Sequence, residues 1–318
     1  MKCAIGIDVG GTKIEAALVD EKGQIHERML IETDVPHGYA AVKKQIISLV
    51  ETLINNHKGA PPVGVGIGVA GQIDKGKGLV KYAPNLNWEN APIKSDLQNK
   101  LQLPVIVLND VRAITWGEWL YGAGKNCDHL VCIFIGTGIG GGIVSNGKML
   151  EGASNTAGEI GHMTVDMHGP ACHCGNRGCL EALAGSWALA RDAAEAIQKD
   201  PESGSLILEQ AGGEIQNIKA KHVIEAYHKN DERARQLVNR VADALGAGLA
   251  GLTNILNPER IIVGGGVPEH LPGLLSMVEK RVHERALKAA IESLAIVPAQ
   301  LHGDSGVIGA ASLVIHEI

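Results

Sequence analysis

The chain has 318 residues, of which 45% are hydrophobic, and its formal net charge at pH 7 is −6. This composition is sufficient for the cores of two globular domains, and the dispersed charges include no basic run of the kind that predicts nucleic-acid binding. No segment approaches the roughly 18 apolar residues of a membrane span, and Asp8 interrupts the first apolar run before a signal peptide could form, which predicts a cytoplasmic protein.

The N-terminal segment predicts a β-hairpin. In CAIGIDVGGTKIEAALVDEKG, two β-type runs flank Gly10-Gly11, and a third strand is expected near Ile25–Ile31. A helix is predicted over residues 41–57 because apolar residues recur there on one helical face. These residues are Val42, Ile46, Leu49, Val50, Leu53 and Ile54.

The remaining elements alternate between strands and helices. Strands are predicted over residues 63–69 and 105–108, and a helix follows Asn109-Asp110. After residue 181 the chain becomes mostly helical, with a long amphipathic run over 232–256 that ends at Asn257-Pro258. A strand over 260–263 enters Gly264-Gly265-Gly266, and a closing helix follows residues 303–306. This order predicts a mixed α/β fold.

The N-terminal hairpin pattern recurs in CIFIGTGIGGGIVSNG, residues 132–147. Aligning Ile5 with Ile133 also places Gly10 against Gly138. Self-similarity of this kind predicts two related halves.

Two segments, GIGVAG at residues 66–71 and GTGIGG at residues 136–141, match the dinucleotide-binding pattern G-x-G-x-x-G. Neither leads into a predicted helix, as that pattern requires, and a Walker A sequence is absent. The hairpin turns in DVGGTK and GTGIGGG are better candidates, because consecutive glycine N–H groups can approach phosphate oxygens. The alternative is that these glycines serve only tight turns. The candidate nucleotide ligands are Asp8 (Mg²⁺ through water), Gly10, Gly11, Thr12, Lys13, Gly136, Thr137 and Gly138.

Four potential metal ligands follow the spacing H-x₉-C-x-C-x₄-C. They are His162, Cys172, Cys174 and Cys179, a set that suits a closed tetrahedral zinc site. Reduced surface thiols or a redox pair are the alternatives. The other three cysteines stand in apolar stretches where free buried cysteine is common.

Asn109-Asp110 lies at the junction of a predicted strand and helix. Both residue types favour helix N-caps, but the carboxyl end of a strand is also a usual place for ligand sites in α/β folds. The sequence alone leaves both roles open.

The motifs DVGGTK, GTGIGGG, GEIGH and CHCGNRGC resemble those of the ROK family of sugar kinases and sugar-responsive repressors, and the resemblance covers essentially the whole chain. It implies a two-domain actin-like ATPase fold, which is ribonuclease H-like, with internal duplication, an inserted zinc-binding loop, and ATP and sugar in a cleft. The expected domains are residues 1–118, completed by the C-terminal helix 303–318, and residues 119–302.

The resemblance also implies roles for individual residues. Asp110 aligns with the catalytic base, Gly264 and Gly265 with the adenosine-side loop, and His162 with the three cysteines as a structural zinc site. Four protein ligands would leave the zinc no open position for chemistry. The implied sugar contacts are Gly71, Asn85, Asn109, Asp110, Glu159, His162 and Glu181, whereas Trp88 could equally serve packing.

These expectations describe an ATP- and Mg²⁺-dependent hexose kinase, most like the glucokinases of the family, that forms glucose 6-phosphate. The alternatives within the class are an N-acetylmannosamine or N-acetylglucosamine kinase and a fructokinase. A sugar-sensing repressor is disfavoured because the first hairpin begins at Cys3 and leaves no room for a helix-turn-helix domain. A sugar-binding protein without catalysis would not need two phosphate turns. A homodimer is implied by resemblance only.

Overall fold

A computed structural model describes residues 2–200 and 204–318. The strands are β1 Cys3–Val9, β2 Lys13–Asp20, β3 Ile25–Glu32, β4 Val65–Val69, β5 Gln72–Asp74, β6 Leu79–Ala83, β7 Trp88–Ala91, β8 Val105–Asn109, β9 Leu130–Ile135, β10 Ile139–Ser145, β11 Lys148–Met149, β12 Arg260–Gly264 and β13 Ala295–Pro298. The α-helices are α1 Gly38–Asn56, α2 Ile93–Leu101, α3 Asp110–Tyr121, α4 Leu180–Ala184, α5 Ser186–Lys199, α6 Ser205–Gln210, α7 Ala220–His228, α8 Glu232–Leu256, α9 Gly266–His270, α10 Gly273–Arg285, α11 Lys288–Ile291 and α12 Ser305–Glu317.

The chain divides into two compact units. Unit 1 contains the residues up to Cys127 together with Met149–Ala157 and Ala299–Ile318, and unit 2 contains Asp128–Lys148 and Gly158–Pro298. The predicted boundary between residues 118 and 119 falls inside α3, which continues to Tyr121. A helix packs as one body, so the division lies beyond its end. The segment Met149–Ala157 also differs from the prediction, because it belongs to unit 1 although it lies within the predicted second domain, residues 119–302.

The main sheets of the two units share one topology. In unit 1 the order is β3-β2-β1-β4-β8, and in unit 2 it is β11-β10-β9-β12-β13. Each sheet contains an antiparallel hairpin, β1–β2 or β9–β10, followed by parallel strands. The predicted α/β class and the internal repeat of the hairpin are therefore confirmed.

The core of unit 1 forms on both faces of its sheet. Alternate residues of β1 pack with the apolar stripe of α1 on one face. On the other face Ala4 packs with α12. Gly6 and Gly66 allow this approach, because a Cβ atom at either would lie 1.8 Å from a carbonyl oxygen of α12. The helix can rest directly on the sheet only where side chains are missing.

Unit 2 has its own core, in which α8 is the central element. The helix contributes Leu237, Val241, Leu245 and Leu249, which pack with β9, β12 and α10. The structure confirms the predicted amphipathic run over residues 232–256 with the same bounds. Across residues 2–200 and 204–318, no helix has the length and apolar character needed to cross a membrane.

Candidate active site

In unit 1 the turn between β1 and β2 is braced from outside the hairpin. Gly10 N donates to the carbonyl of Lys13 at 3.0 Å. Thr33 donates through Oγ1 to the carbonyl of Gly10 at 2.7 Å and through its N–H to the carbonyl of Thr12 at 3.0 Å. The predicted phosphate turn thus has a fixed backbone, while the Thr12 and Lys13 side chains remain exposed.

The predicted sugar residue Asn85 lies directly against this turn. A Cβ atom at Gly11 would be 2.7 Å from the main-chain oxygen of Asn85, so a side chain at residue 11 would displace the loop. Asn85 itself is exposed in the 3₁₀ turn Pro84–Leu86. Trp88, in contrast, is buried and packs edge-on against Tyr39 at 5.1 Å, which assigns it to the core.

Lys13 belongs to an ion-pair network. Its Nζ atom is 3.7 Å from Glu15 Oε2, and the other Glu15 oxygen is 3.3 Å from Arg28 Nε. Glu15 is buried whereas Lys13 is largely exposed. An exposed ammonium on a long stem can exchange this partner for a phosphate at small cost.

Asp8 and Asp110 are brought together by the strand register. Asp8 pairs with Gly68 of β4, and β4 pairs in parallel with β8, so that β1 and β8 end at the same sheet edge. Burial is the main reason that the pKa of Asp8 is raised to about 7; the nearby negative charges of Asp110 and Glu15 contribute to the increase, and Lys13 opposes it. The arrangement concentrates negative charge where a cation would be stabilised.

Asn109 caps α3 and also contacts the loop after β4. Its Oδ1 atom accepts hydrogen bonds from Val111 N at 3.0 Å and Arg112 N at 3.3 Å. Its Nδ2 atom donates to the carbonyl of Gly71 at 3.3 Å. The capping role that the sequence left open therefore falls to Asn109, and Asp110 is the first helical residue.

In unit 2 the second predicted phosphate turn is held by the start of α5. Ser186 N donates to the carbonyl of Gly136 at 3.1 Å, and Trp187 N donates to that of Thr137 at 3.3 Å. Because two carbonyls of the turn are engaged by the helix, its backbone has one fixed conformation. The side chain of Thr137 is exposed.

Glu181 connects three parts of unit 2. Its Oε2 atom accepts a hydrogen bond from Ile139 N at 2.9 Å, directly after the turn, and its Oε1 atom accepts one from Trp187 Nε1 at 3.4 Å. Cys172 Sγ lies 4.0 Å from Oε1. This predicted sugar residue is half-buried and fixed in position.

The predicted adenosine-side loop lies beside the same hairpin. Gly265 has a φ of +95°, and a Cβ atom there would lie 2.6 Å from the carbonyl oxygen of Ile135, the last residue of β9. Glycine satisfies both the left-handed conformation and the close approach. Gly264 is the last residue of β12, so the structure brings this loop to the edge of the sheet that carries Gly136.

Glu159 precedes a single 3₁₀ turn, Ile160–His162, and His162 is its last residue. The N–H of His162 donates to the carbonyl of Glu159 at 3.1 Å, which fixes their spacing, and the Glu159 side chain is exposed. Gly161 packs on β10, where a Cβ atom would lie 2.0 Å from the carbonyl of Ile139. This packing holds the 3₁₀ turn against β10, the strand that follows the second predicted phosphate turn.

His162, Cys172, Cys174 and Cys179 form a cluster in which one ligand atom from each lies within 4.8 Å of the others. The Sγ atoms of Cys174 and Cys179 are 3.7 Å apart, and Cys172 Sγ is 3.8 Å from His162 Nδ1. Burial raises the pKa of Cys179 to about 12 and also raises that of Cys172. These two thiols would therefore need a cation in order to ionise near neutral pH.

Sequence reasoning missed two residues that organise the region around the site. Arg112 reaches Asn155, 43 positions away, and Trp187 reaches Glu181 from the first turn of α5. Arginine or tryptophan on a helix has no local signature for such a contact. Stacking of the His173 ring on Trp187, with centroids 4.1 Å apart, also depends on tertiary structure.

The repeated sheets, each with a glycine turn in its hairpin, define an internally duplicated α/β protein. A sequence model of the ROK family matches residues 4–317, so the chain belongs to the ROK family. It is 36% identical over 315 residues to a glucokinase of Thermotoga maritima, and the alignment covers 99% of this chain and 98% of that protein.

Solved structures and regulators are also among its relatives. The chain superimposes with a TM-score of 0.84 on a ROK glucokinase from Streptomyces griseus solved with glucose and AMPPNP, at 36% identity and with 99% of each chain covered. It is 31% identical to a xylose repressor of Bacillus subtilis, a match that covers 98% of this chain and 77% of the repressor.

Proposed function

We propose that the protein is an ATP-dependent kinase that phosphorylates the 6-hydroxyl of glucose. The observation that carries the proposal is the placement of Asp110 and Asp8 at one sheet edge, beside a braced glycine turn. Full-length similarity to glucokinases supports glucose as the substrate.

Phosphoryl transfer passes through a loose transition state, so positioning and charge neutralisation supply most of the catalysis. Asp110 would align the O6–H group of the sugar and accept its proton late in the transfer. The N–H groups of the two glycine turns would contact phosphate oxygens. Magnesium, when bound with ATP, would neutralise phosphate charge, and Asp8 would hold it through water.

The sugar would be read by Gly71, Asn85, Asn109, Glu159, His162 and Glu181. Carboxylates suit sugar hydroxyls because each oxygen accepts hydrogen bonds. The geometry of unit 2 supports Glu181 for this role, because protein N–H groups already hold both of its oxygens at fixed positions. On the adenosine side, Gly264 and Gly265 would contact the nucleotide.

Zinc fits the cluster of His162 and the three cysteines. With a Zn–S bond of about 2.3 Å, two sulfurs of a tetrahedral site lie about 3.8 Å apart, and the observed Cys174–Cys179 separation is 3.7 Å. The ion would fix the loop between Cys172 and Cys179, leaving Nε2 of His162 available to a sugar when Nδ1 binds the metal. Metal analysis of protein purified without chelator should find about one zinc per chain.

The proposal includes a cytoplasmic location and a homodimer. A reducing compartment would keep the clustered thiols available for metal. Light scattering coupled to gel filtration tests the homodimer. A measured mass near that of one 33.4-kDa chain would contradict it.

The decisive experiment compares the wild type with Asp110→Asn. We expect the variant to lose on the order of 10²-fold or more in kcat while calorimetry still detects glucose binding. Asp34→Asn, which removes a partly exposed carboxylate paired with His37, is the matched control. Normal turnover by Asp110→Asn would refute the assignment of the base.

Steady-state rates of the wild type on glucose, N-acetylglucosamine, N-acetylmannosamine and fructose test the substrate. Glucose should have the highest kcat/KM. A higher value for an amino sugar would transfer the proposal to that substrate, and no turnover of any of the four would overturn the enzyme function.

A further inference from the structure

The segment Met149–Ala157 is an excursion of the chain. It belongs to unit 1, whereas the residues immediately before and after it belong to unit 2. The N–H of Ala157 donates to the carbonyl of Glu151 at 3.1 Å, which closes the segment into a loop. Side chains of α3 and of Lys75 attach it to unit 1.

Arg112 of α3 contacts two residues of the segment, Asn155 and Glu151. Its side chain is only 10% exposed. Nη1 donates to Oδ1 of Asn155 in a short hydrogen bond and also reaches the carbonyl of Asn155 at 3.4 Å. Nη2 lies 3.8 Å from Glu151. A planar guanidinium with several donors can hold side chain and main chain of one residue together, which an ammonium cannot do as well.

Asn155 carries the attachment further, to β5. Its Nδ2 atom donates to the carbonyl of Ile73 at 3.3 Å. Its φ of +62° lies in the left-handed region, which asparagine tolerates better than most residues. The amide therefore joins α3, the excursion and the strand that follows Gly71.

Each end of this connection leads to a residue of the proposed sugar site. Arg112 stands two residues after Asp110, and Ile73 stands two residues after Gly71. Glu159 stands four positions after Asn155, a span of at most roughly 14 Å. Fixing Asn155 thus limits where the backbone of Glu159 can go.

We propose that Arg112 is a positioning residue for sugar binding, acting through Asn155. The inference rests on the proposed function, since it concerns the binding of glucose. Loss of the guanidinium should release the excursion and weaken glucose binding, while ATP binding and the chemical step change little.

The test uses Arg112→Met and Asn155→Gly in the full chain. Glycine keeps the left-handed backbone at residue 155 and removes only the side chain. Both variants should raise the KM for glucose about tenfold, with kcat within about threefold and the KM for ATP within about twofold of wild type. The double variant should resemble either single variant, because both remove one connection. Asn155→Asp, which keeps an acceptor for Arg112 but loses the donor to Ile73, should recover only part of the loss.

Lys75→Met is the matched control, because Lys75 pairs with Glu151 of the same loop at the surface. It should leave all constants near wild type. Hydrogen exchange provides a readout without activity: the amide of Ala157 should exchange at least tenfold faster in Arg112→Met than in Lys75→Met.

An unchanged KM for glucose in Arg112→Met, or an equal loss in Lys75→Met, would overturn the inference. So would additive effects in the double variant or unchanged exchange at Ala157. Failure of the wild type to phosphorylate glucose would instead refute the proposed function, and the exchange result would still decide whether Arg112 holds the loop.

Discussion

Replacing Gly138 by alanine should damage sugar binding through Glu181. The new Cβ atom would lie 2.2 Å from Oε2 of Glu181, whereas ordinary contacts begin near 3.4 Å. The carboxylate would have to move by about 1.2 Å, the difference between these distances. Because Oε2 accepts the N–H of Ile139 at 2.9 Å, such a movement would break that hydrogen bond.

The size of the effect follows from the charge on the acceptor. Displacement removes Glu181 from its proposed contact with a sugar hydroxyl. A hydrogen bond to a charged group contributes about 1.5–3 kcal/mol, which corresponds to a factor of roughly 10 to 150 in affinity for glucose. The KM for glucose should therefore rise by a factor in that range, and calorimetric binding of glucose without nucleotide should weaken in parallel.

Gly136→Ala is the matched control for this change. A Cβ atom at Gly136 would meet nothing within 4 Å, although the residue belongs to the same turn. Initial rates with a coupled assay for glucose 6-phosphate should give a normal KM for glucose in this variant. A normal KM in Gly138→Ala, or the same increase in both variants, would refute the role given to Glu181.

Three further predictions concern metal, pH and stability. Chelation should raise the KM for glucose before it weakens nucleotide binding, because the cysteine cluster contacts Glu181; equal loss of both would mean that the metal only holds unit 2 together. Asp8 has a pKa of about 7 and is increasingly protonated below that pH. The affinity for Mg²⁺-AMPPNP, measured by calorimetry, should therefore fall by up to about tenfold per pH unit below pH 7. An affinity that stays constant from pH 5.5 to 8 would contradict this. Glu118 is fully buried and accepts hydrogen bonds from the N–H groups of Ala123 at 2.9 Å and Leu301 at 2.7 Å. In urea titrations, Glu118→Gln should lower the free energy of unfolding by about 2–4 kcal/mol. The control Glu51→Gln, at an exposed residue, should change it by less than about 0.5 kcal/mol.

The local elements could be predicted because their signals are local. Alternating apolar residues around Gly10-Gly11 and Gly136–Gly138 specify hairpins, and the amphipathic pattern over 232–256 specifies one long helix. The similarity of the two hairpins also indicated the repeated sheet. The expected family was confirmed by the match over residues 4–317.

Contacts between distant segments could not be predicted in the same way. Nothing in the neighbourhood of Arg112 or Asn155 indicates that they meet, because a hydrogen bond between a helix and a loop leaves no periodic pattern. The domain ranges shared this weakness: a cut at residue 118 ignored the continuation of α3 to Tyr121. The roles of Glu159 and Glu181 came from family resemblance, and they stay predictions.

The position of Glu181 raises an electrostatic problem that its hydrogen bonds solve. Three thiolates and a neutral histidine around one Zn²⁺ would carry a net charge of −1, and Cys172 Sγ lies only 4.0 Å from this carboxylate. Two negative groups at that distance repel each other unless donors stabilise them. Ile139 N and Trp187 Nε1 each donate to one Glu181 oxygen, and these donors offset that repulsion. The same donors aim its remaining lone pairs, and they come from the strand after the phosphate turn and from the helix that braces it. Zinc in the cysteine cluster and the proposed sugar contact of Glu181 would thus be compatible in unit 2, because Ile139 and Trp187 hold the carboxylate in place.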